Sequence, residues 1–243
     1  MMTSGGSESI RRRRQLVGVA AACVFPSLMT WVHFVALAGR REAGLAYAVG
    51  KLVQFGLPLV WLRWVEGAWP RPAAPRGKGL ASASLFGALA VGLLLTVYFA
   101  GLRSSPALIG AATEIRRRLE PMGLTTPLAF LGVAAFYCLA HSLLEEYYWR
   151  WFVYGRLREQ SRPVLAGVVS SLGFMGHHVI LVSRFTGGSW GAAALLSLGV
   201  AVGGAAWAWM YQRSGSLYGP WWSHGLVDAG LMVIGYDLLW ALP

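Results

Sequence analysis

Seven long, mostly apolar stretches cover most of the chain, and they restrict its fold more than any other feature. A helix needs about 20 such residues to cross the hydrocarbon core of a bilayer. Only 13% of the residues are charged and 56% are hydrophobic, whereas roughly 25% are charged in an average soluble domain. We therefore predict an all-α, polytopic membrane bundle with about seven transmembrane helices, at about 15–39, 44–65, 82–102, 126–154, 163–183, 191–212 and 219–240.

Two connecting segments are predicted from their proline and arginine content. Residues 66–78 contain three prolines, which a helix interior does not accommodate, so this segment is predicted to be a loop. The segment from Ala112 to Pro121 carries three consecutive arginines. It is predicted to be a short amphipathic surface helix that ends at Pro121.

The basic residues are spread over helix ends and loops. The net charge is +11, but no single face collects it, so we expect no nucleic-acid partner. Loop arginines orient membrane proteins instead. Residues 1–14 are predicted to be a basic cytoplasmic N-terminus. The apolar run that follows is too long for a signal peptide, so a retained first helix is expected. Most of the basic residues are arginines, which together with the many alanines and glycines is typical of a GC-rich bacterial genome. The multi-pass protein is therefore predicted to lie in a bacterial inner (plasma) membrane.

The unusual polar residues are assigned to the fourth to seventh predicted spans. We therefore predict that residues 15–125 form a scaffold of transmembrane helices and that residues 126–243 form the functional core. Cys23 and Cys138 both lie in apolar runs. They are interpreted as small packing residues and not as a disulfide or a metal-binding pair.

Two adjacent acids, Glu145 and Glu146, lie in the fourth span. A carboxylate at bilayer depth is costly and usually marks a functional site. Residues four apart share a helix face, so Glu146 is predicted to pair with Arg150, and Glu145 to face His141. Adjacent carboxylates raise each other's proton affinity, which suits Glu145 as a general base. A purely structural interior ion pair is the alternative.

Two later spans carry histidines. His177 and His178 are consecutive, so only one of them is expected to face the same cavity, and Phe174 would pack beside His178 one turn away. His224 and Asp228 share a face, where the carboxylate can orient or charge the imidazole. A lone histidine on an apolar face is usually structural, and His33 and His141 are interpreted in that way.

These residues fit two kinds of chemistry. A carboxylate with histidines can activate water against a peptide carbonyl, directly or through a metal. Proton-coupled transport uses similar residues. No buried Ser–His pairing for a serine mechanism is evident in the sequence, and there is no His-Glu-x-x-His zinc motif. The residues alone leave hydrolysis and transport open.

Three short motifs resemble those of the CPBP family, the type II CAAX prenyl proteases and their bacterial relatives, including bacteriocin-processing and immunity proteins. Each motif is weak alone, but three in this order, each on its own helix of an apolar chain, are specific. The resemblance covers about 130–235. The matching segments are Glu145-Glu146-Tyr-Tyr-Trp-Arg150 for E-E-x-x-x-R, Phe174-Met-Gly-His-His178 for F-x-x-x-H, and His224-Gly-Leu-Val-Asp228 for H-x-x-x-N/D.

The resemblance implies an intramembrane endopeptidase, with residues 126–243 as a CPBP-type catalytic core. Glu145 and His178 would activate the attacking water. His224 and Asp228 would polarise the carbonyl oxygen. Glu146 and Arg150 would brace the site, with His141 and Phe174 as supporting residues. Asp228 stands where asparagine is common in the family. Because an ionised Asp228 would repel an oxyanion, it must be protonated or act through His224 as an imidazolium.

The family is described with both metal-dependent and metal-free mechanisms. Glu145, His178 and His224 are the candidate zinc ligands, but the expected shallow position of His224 favours a metal-free mechanism. The expected partners are a membrane-associated peptide or protein substrate and the lipid bilayer. The alternatives are a non-proteolytic immunity or partner-binding member of the family, and a small proton-coupled transporter.

Overall fold

The structure is a computed structural model that describes residues 4–67 and 79–241, and within these ranges it contains helices and no strand. Helix α1 covers Ser4–Trp31 and continues as a π-helical turn, Val32–Ala36. The remaining helices are α2 (Glu42–Glu66), α3 (Leu80–Leu102), α4 (Pro106–Leu119), α5 (Pro127–Arg158), α6 (Pro163–Ser183), α7 (Trp190–Ser214) and α8 (Tyr218–Trp240).

Six helices are long and apolar enough to cross a membrane: α1 over Arg13–Ala36, α2, α3, α5, α6 and α7. The predicted all-helical, multi-pass architecture is confirmed. The seventh predicted span, 219–240, is helical as α8 but is not among these six. Its sequence includes Ser223, His224, Asp228 and Asp237, and these polar side chains lower its mean hydropathy.

The predicted surface helix exists as α4 but begins earlier than expected. Ser105 caps it, because its hydroxyl oxygen accepts a hydrogen bond from the backbone N–H of Leu108 at 3.4 Å. The α-helix ends at Leu119, and a 3₁₀ turn, Glu120–Met122, follows it. Of the other predicted loop, residues 68–78 lie outside the described residues.

Helix α5 is irregular around the diacid. The α-helical turn Ser142–Glu146 lies between two π-helical segments, Phe136–His141 and Tyr147–Tyr154. π-helical turns are rare within α-helices and occur frequently at functional sites. The other π-helical segments that the structure describes end α1, α2 and α3, so α5 differs in being irregular in its interior, on both sides of the Ser142–Glu146 turn.

Large aromatic residues of α5, α6 and α7 form the centre of the bundle. Tyr148, Trp149, Phe152, Phe174 and Trp207 are all buried in one hydrophobic cluster. Helix α8 approaches α5 closely at Gly225, where a Cβ atom would overlap the carbonyl oxygen of Cys138. This close approach brings the neighbouring His224 against the diacid turn.

Polar contacts join several helices at one end of the bundle. Gln160, after α5, bonds to Gln15 near the start of α1 at 3.3 Å. Arg156 of α5 donates to Glu66 at the end of α2 at 2.9 Å. Arg158 donates to Gln212 of α7 at 2.9 Å. The start of α1 therefore lies at the same end as the last turns of α2, α5 and α7.

Candidate functional site

The two acids and their arginine are buried inside the bundle. The exposed fractions of Glu145, Glu146 and Arg150 are 2%, 0% and 1%. Ser142, one turn earlier on α5, is also buried and donates to the carbonyl oxygen of Cys138 at 2.7 Å. Burial of this kind leaves a charge dependent on the protein groups around it.

Glu146 is held by two partners. Arg150 Nη1 lies 3.1 Å from Glu146 Oε1, as the spacing of four residues predicted. His224 Nδ1 lies 2.8 Å from the same oxygen and donates to it. The guanidinium of Arg150 also rests over the rings of Phe174 and Trp207, 4.6 and 5.1 Å from their centroids. Glu146 thus connects α5 to α8.

Glu145 is surrounded by imidazoles that do not touch it closely. His177 Nε2 lies 3.5 Å from Oε1, while His224 Nε2 and His141 Nδ1 lie 3.7 and 3.8 Å from Oε2. The approach of His141 follows the predicted shared face. These separations exceed ordinary hydrogen-bond lengths. The carboxylate of Glu145 is therefore less tightly held than that of Glu146.

The consecutive histidines are arranged differently from the sequence prediction. His177, which was expected to point away, is the one in contact with Glu145, and its ring is stacked parallel to Trp149 at 6.0 Å. His178 Nδ1 donates to the carbonyl oxygen of Phe174, at 3.0 Å on its own helix. The ring centroids of the two imidazoles are only 4.2 Å apart. His178 also interacts electrostatically with Glu145. The rotation of α6 about its own axis decides which of the two imidazoles faces Glu145. The sequence does not specify that rotation.

His224 and Asp228 share a face of α8, as predicted. Nε2 of His224 lies 3.7 Å from Asp228 Oδ1, the same distance that separates it from Glu145. Trp207 stacks on the imidazole with ring centroids 4.1 Å apart, and its own Nε1 donates to Ser223 at 3.2 Å. The plane of His224 is thereby fixed by α7 as well as by Glu146.

The sequence analysis assigned no contact with the histidines to Trp149 or Trp207, the two rings that stack on them. Trp149 lies inside the first motif, so its position was a signal that could have been used. Trp207 lies in a uniformly apolar helix and offers no comparable signal. Phe174, which was expected beside His178, contacts that ring edge-on at 4.8 Å and also packs near His224 at 5.9 Å.

The helices that carry this site match a known protein family. Residues 127–230 match the family model described as type II CAAX prenyl endopeptidase Rce1-like. This segment, which is less than half of the chain, is similar to that family and is called the Rce1-like domain here. The match begins at the first residue of α5, ends in α8, and includes all three motifs, so it confirms the resemblance to the CPBP family. It supports a protease role at the level of the family. No curated protein and no solved structure matches the chain.

The described residues of the Rce1-like domain do not form a ready metal site. Within residues 4–67 and 79–241, no group of three or more histidines, cysteines, aspartates and glutamates is arranged to hold a metal ion. Among the candidate zinc ligands, His224 commits Nδ1 to Glu146, and His178 commits Nδ1 to the Phe174 carbonyl. These bonds leave Nε2 of both imidazoles as the nitrogen that could ligate a metal ion, and such bonds from Nδ1 are usual for metal-ligating histidines.

Proposed function

We propose that the protein is an intramembrane endopeptidase that hydrolyses a peptide bond near a terminus of a membrane-associated protein or peptide. One observation carries the proposal. Of two adjacent buried acids, Glu146 is tied to Arg150 and His224, whereas Glu145 stands loosely among three imidazoles. Glu146 therefore has structural partners, and Glu145 is free to accept a proton.

In the proposed mechanism, water is held between Glu145 and His224. Glu145 Oε2 and His224 Nε2 are 3.7 Å apart, which is too far for a direct bond but suits two groups that share one water molecule. Glu145 takes a proton from this water as the oxygen attacks the peptide carbonyl carbon. The tetrahedral intermediate then collapses by breaking the C–N bond, and the proton passes to the leaving amine.

His224 is proposed to stabilise the negative oxygen that forms on the attacked carbonyl. Glu146 accepts the hydrogen from Nδ1, so the imidazole keeps one orientation. As an imidazolium it would donate from Nε2 to the oxyanion. Asp228 lies beside Nε2 at 3.7 Å and favours the charged form of the ring. Asp228 is thus proposed to act through His224 and not directly on the substrate.

His178 is proposed to belong to the site through its match to the second motif, and His177 through its contact with Glu145. The two rings lie side by side, so both border the space next to the base. Phe174 and His141 are proposed to support them, Phe174 by packing against His178 and His224 and His141 by facing Glu145.

A pool of apolar peptides of varied sequence tests the proposal, because the peptides that are cleaved define the substrate preference. Purified protein in lipid nanodiscs is incubated with the pool, and the products are identified by mass spectrometry. We expect cleavage at internal bonds, with and without a chelator. Activity that is lost on chelation and restored by stoichiometric zinc would replace the metal-free mechanism. If the protein moves a substrate into vesicles and cleaves no peptide, the proton-coupled transporter is favoured instead.

We also propose that the N-terminus is cytoplasmic and that the membrane is a bacterial inner membrane. The start of α1 lies at the same end of the bundle as Arg156 and Arg158, and cytoplasmic loops are enriched in such residues. In a variant that lacks Cys23 and Cys138 and carries Glu159→Cys, the new thiol should react with an impermeant maleimide only in inside-out vesicles. Reaction in intact cells would reverse the orientation.

A further inference from the structure

Helix α1, which lies outside the Rce1-like domain, contains a proline in its interior. Pro26 lies within the α-helical range Ser4–Trp31, and its ring is fully buried. A proline has no backbone N–H, so the carbonyl oxygen of Ala22, four residues earlier, cannot accept its regular helical hydrogen bond. Ala22 is 0% exposed, so solvent cannot supply the missing donor. Prolines in membrane helices are tolerated where a neighbouring helix supplies it.

Tyr148 of α5 supplies that donor. Its hydroxyl group donates to the carbonyl oxygen of Ala22 at 2.7 Å, and its side chain is fully buried as well. Phe55 of α2 packs edge-on against the tyrosine ring at 6.4 Å. The bond therefore joins the backbone of α1 to α5 in an apolar environment, where a hydrogen bond is stronger than in water.

Tyr148 follows the diacid by two residues. Positions two apart lie on nearly opposite faces of a helix, so Glu146 and Tyr148 hold α5 from two sides. Glu146 is bonded to His224 of α8, and Tyr148 to Ala22 of α1. Contacts on opposite faces fix the rotation of a helix about its axis. That rotation determines the direction in which Glu145 points.

Helix α1 also packs against α6 beside the same bond. A Cβ atom at Gly173 of α6 would lie only 2.9 Å from the ring of Trp149 and 3.5 Å from the carbonyl oxygen of Cys23. Trp149 stacks on His177, whose Nε2 lies 3.5 Å from Glu145. Helix α1 is thus in contact with both the helix of the proposed base and the helix of a neighbouring imidazole.

We propose that Tyr148 is a positioning residue, which holds the diacid in its working orientation by binding the carbonyl group that Pro26 leaves open. The inference rests on the proposed endopeptidase function and adds a helix outside the Rce1-like domain to the parts that this function needs. Without the hydroxyl group, α5 keeps its bond to α8 but loses the bond to α1, so it can turn about its axis. Glu145 would then leave its position among the imidazoles, and a small misplacement of a reacting group is enough to slow the chemical step.

The test compares two tyrosines of the same helix. Tyr148→Phe removes the hydroxyl group bonded to α1, whereas Tyr154→Phe removes one that is bonded to Gln212 of α7 at 2.7 Å, near the end of α5. Full-length protein in nanodiscs is assayed at several concentrations of one peptide that the unmodified protein cleaves. Tyr148→Phe should lower kcat by about ten- to a hundredfold with KM nearly unchanged. Tyr154→Phe should keep both constants.

A second variant separates positioning from stability. Tyr148→Phe also leaves the carbonyl group of Ala22 without a donor, so it should lower the unfolding temperature. Pro26→Ala restores a backbone N–H that can bond to this carbonyl group. The double variant Pro26→Ala/Tyr148→Phe should therefore regain its unfolding temperature. Its kcat should stay as low as that of Tyr148→Phe, because the bond between α1 and α5 is still missing.

The outcomes separate this inference from the proposed function. If kcat recovers together with the unfolding temperature in the double variant, the bond is only structural and the inference is overturned. Equal kcat values for Tyr148→Phe and Tyr154→Phe would overturn it as well, and both results would leave the endopeptidase standing. If the unmodified protein cleaves no peptide, the proposed function and the inference are both wrong.

Discussion

At the ends of the helices, arginines bind carboxylates through short, bidentate hydrogen bonds. Arg103 donates to both oxygens of Asp237 at 2.8 and 3.2 Å, and Arg156 likewise reaches both oxygens of Glu66. Around Glu145, in contrast, three imidazole nitrogens stand 3.5 to 3.8 Å away. Carboxylates thus form closed pairs with arginines at the rim of the bundle and an open cluster with histidines at its centre.

The open cluster also holds several buried polar atoms without a hydrogen-bond partner in the described part of the chain. Glu146 Oε2, His177 Nδ1 and Trp149 Nε1 are among them. Both terminal nitrogens of Arg150 are also among them, because the 3.1 Å contact of Nη1 with Glu146 is an ion pair without hydrogen-bond geometry. Each such atom costs stability, and native proteins retain few of them. Their concentration around the two adjacent acids is consistent with the proposed reaction centre, whereas the pairs at the rim hold helices together.

Removal of the proposed base should give the largest effect on activity. We expect Glu145→Gln to lower the cleavage rate by about 10²–10⁴-fold, because the amide cannot accept a proton from water. The measurement is the initial rate on the peptide pool, together with the unfolding temperature. Glu159→Gln, which changes an exposed acid that pairs with Arg156, is the matched control. Equal rates for the two variants would remove Glu145 from the mechanism.

The next effect distinguishes the central pair from a pair at the rim. Glu146→Gln leaves Arg150 buried without its charge partner, which should cost about 3–5 kcal/mol and also disorient His224. Glu66→Gln weakens a pair that is less deeply buried and should cost less, with cleavage intact. Denaturation in detergent measures both. If the double variant Glu146→Gln/Arg150→Met regains stability but not activity, the pair is shown to orient His224 as well as to hold the fold.

The smallest expected effect concerns the two histidines. His177 contacts Glu145, so His177→Ala should lower the cleavage rate by about tenfold or more, and by more than His178→Ala. The family motif assigns the role to His178 and implies the opposite order. Rates of the two variants on the same peptide pool decide between them. A larger loss for His178→Ala would mean that α6 is rotated in the working enzyme relative to this structure.

Contacts within one helix could be predicted from the sequence, and contacts between helices could not. Glu146 with Arg150, Glu145 with His141, and Asp228 with His224 are each four residues apart, and all three pairs lie within 4 Å. The bond between Glu146 and His224 joins residues 78 positions apart. It depends on how α5 and α8 cross at Gly225, and no periodicity in the sequence encodes that crossing.

Charge and hydropathy predicted the spans better than they predicted the polar lining of the site. The six apolar helices follow from composition alone. Trp207 was missed because stacking on His224 is a property of packing and not of sequence pattern.

The π-helical segment Tyr147–Tyr154 has a consequence for protein engineering. A π-turn accommodates an additional residue per turn, so positions beyond Glu146 face other directions than a regular helical wheel would assign. Deletion of one residue in this segment can be absorbed by a return to regular α-helical winding, without breaking the helix. The diacid would keep its place, and so would the end of α5, where Arg156 and Arg158 contact Glu66 and Gln212. Deletion scanning of α5 should therefore tolerate the loss of one residue best in this segment.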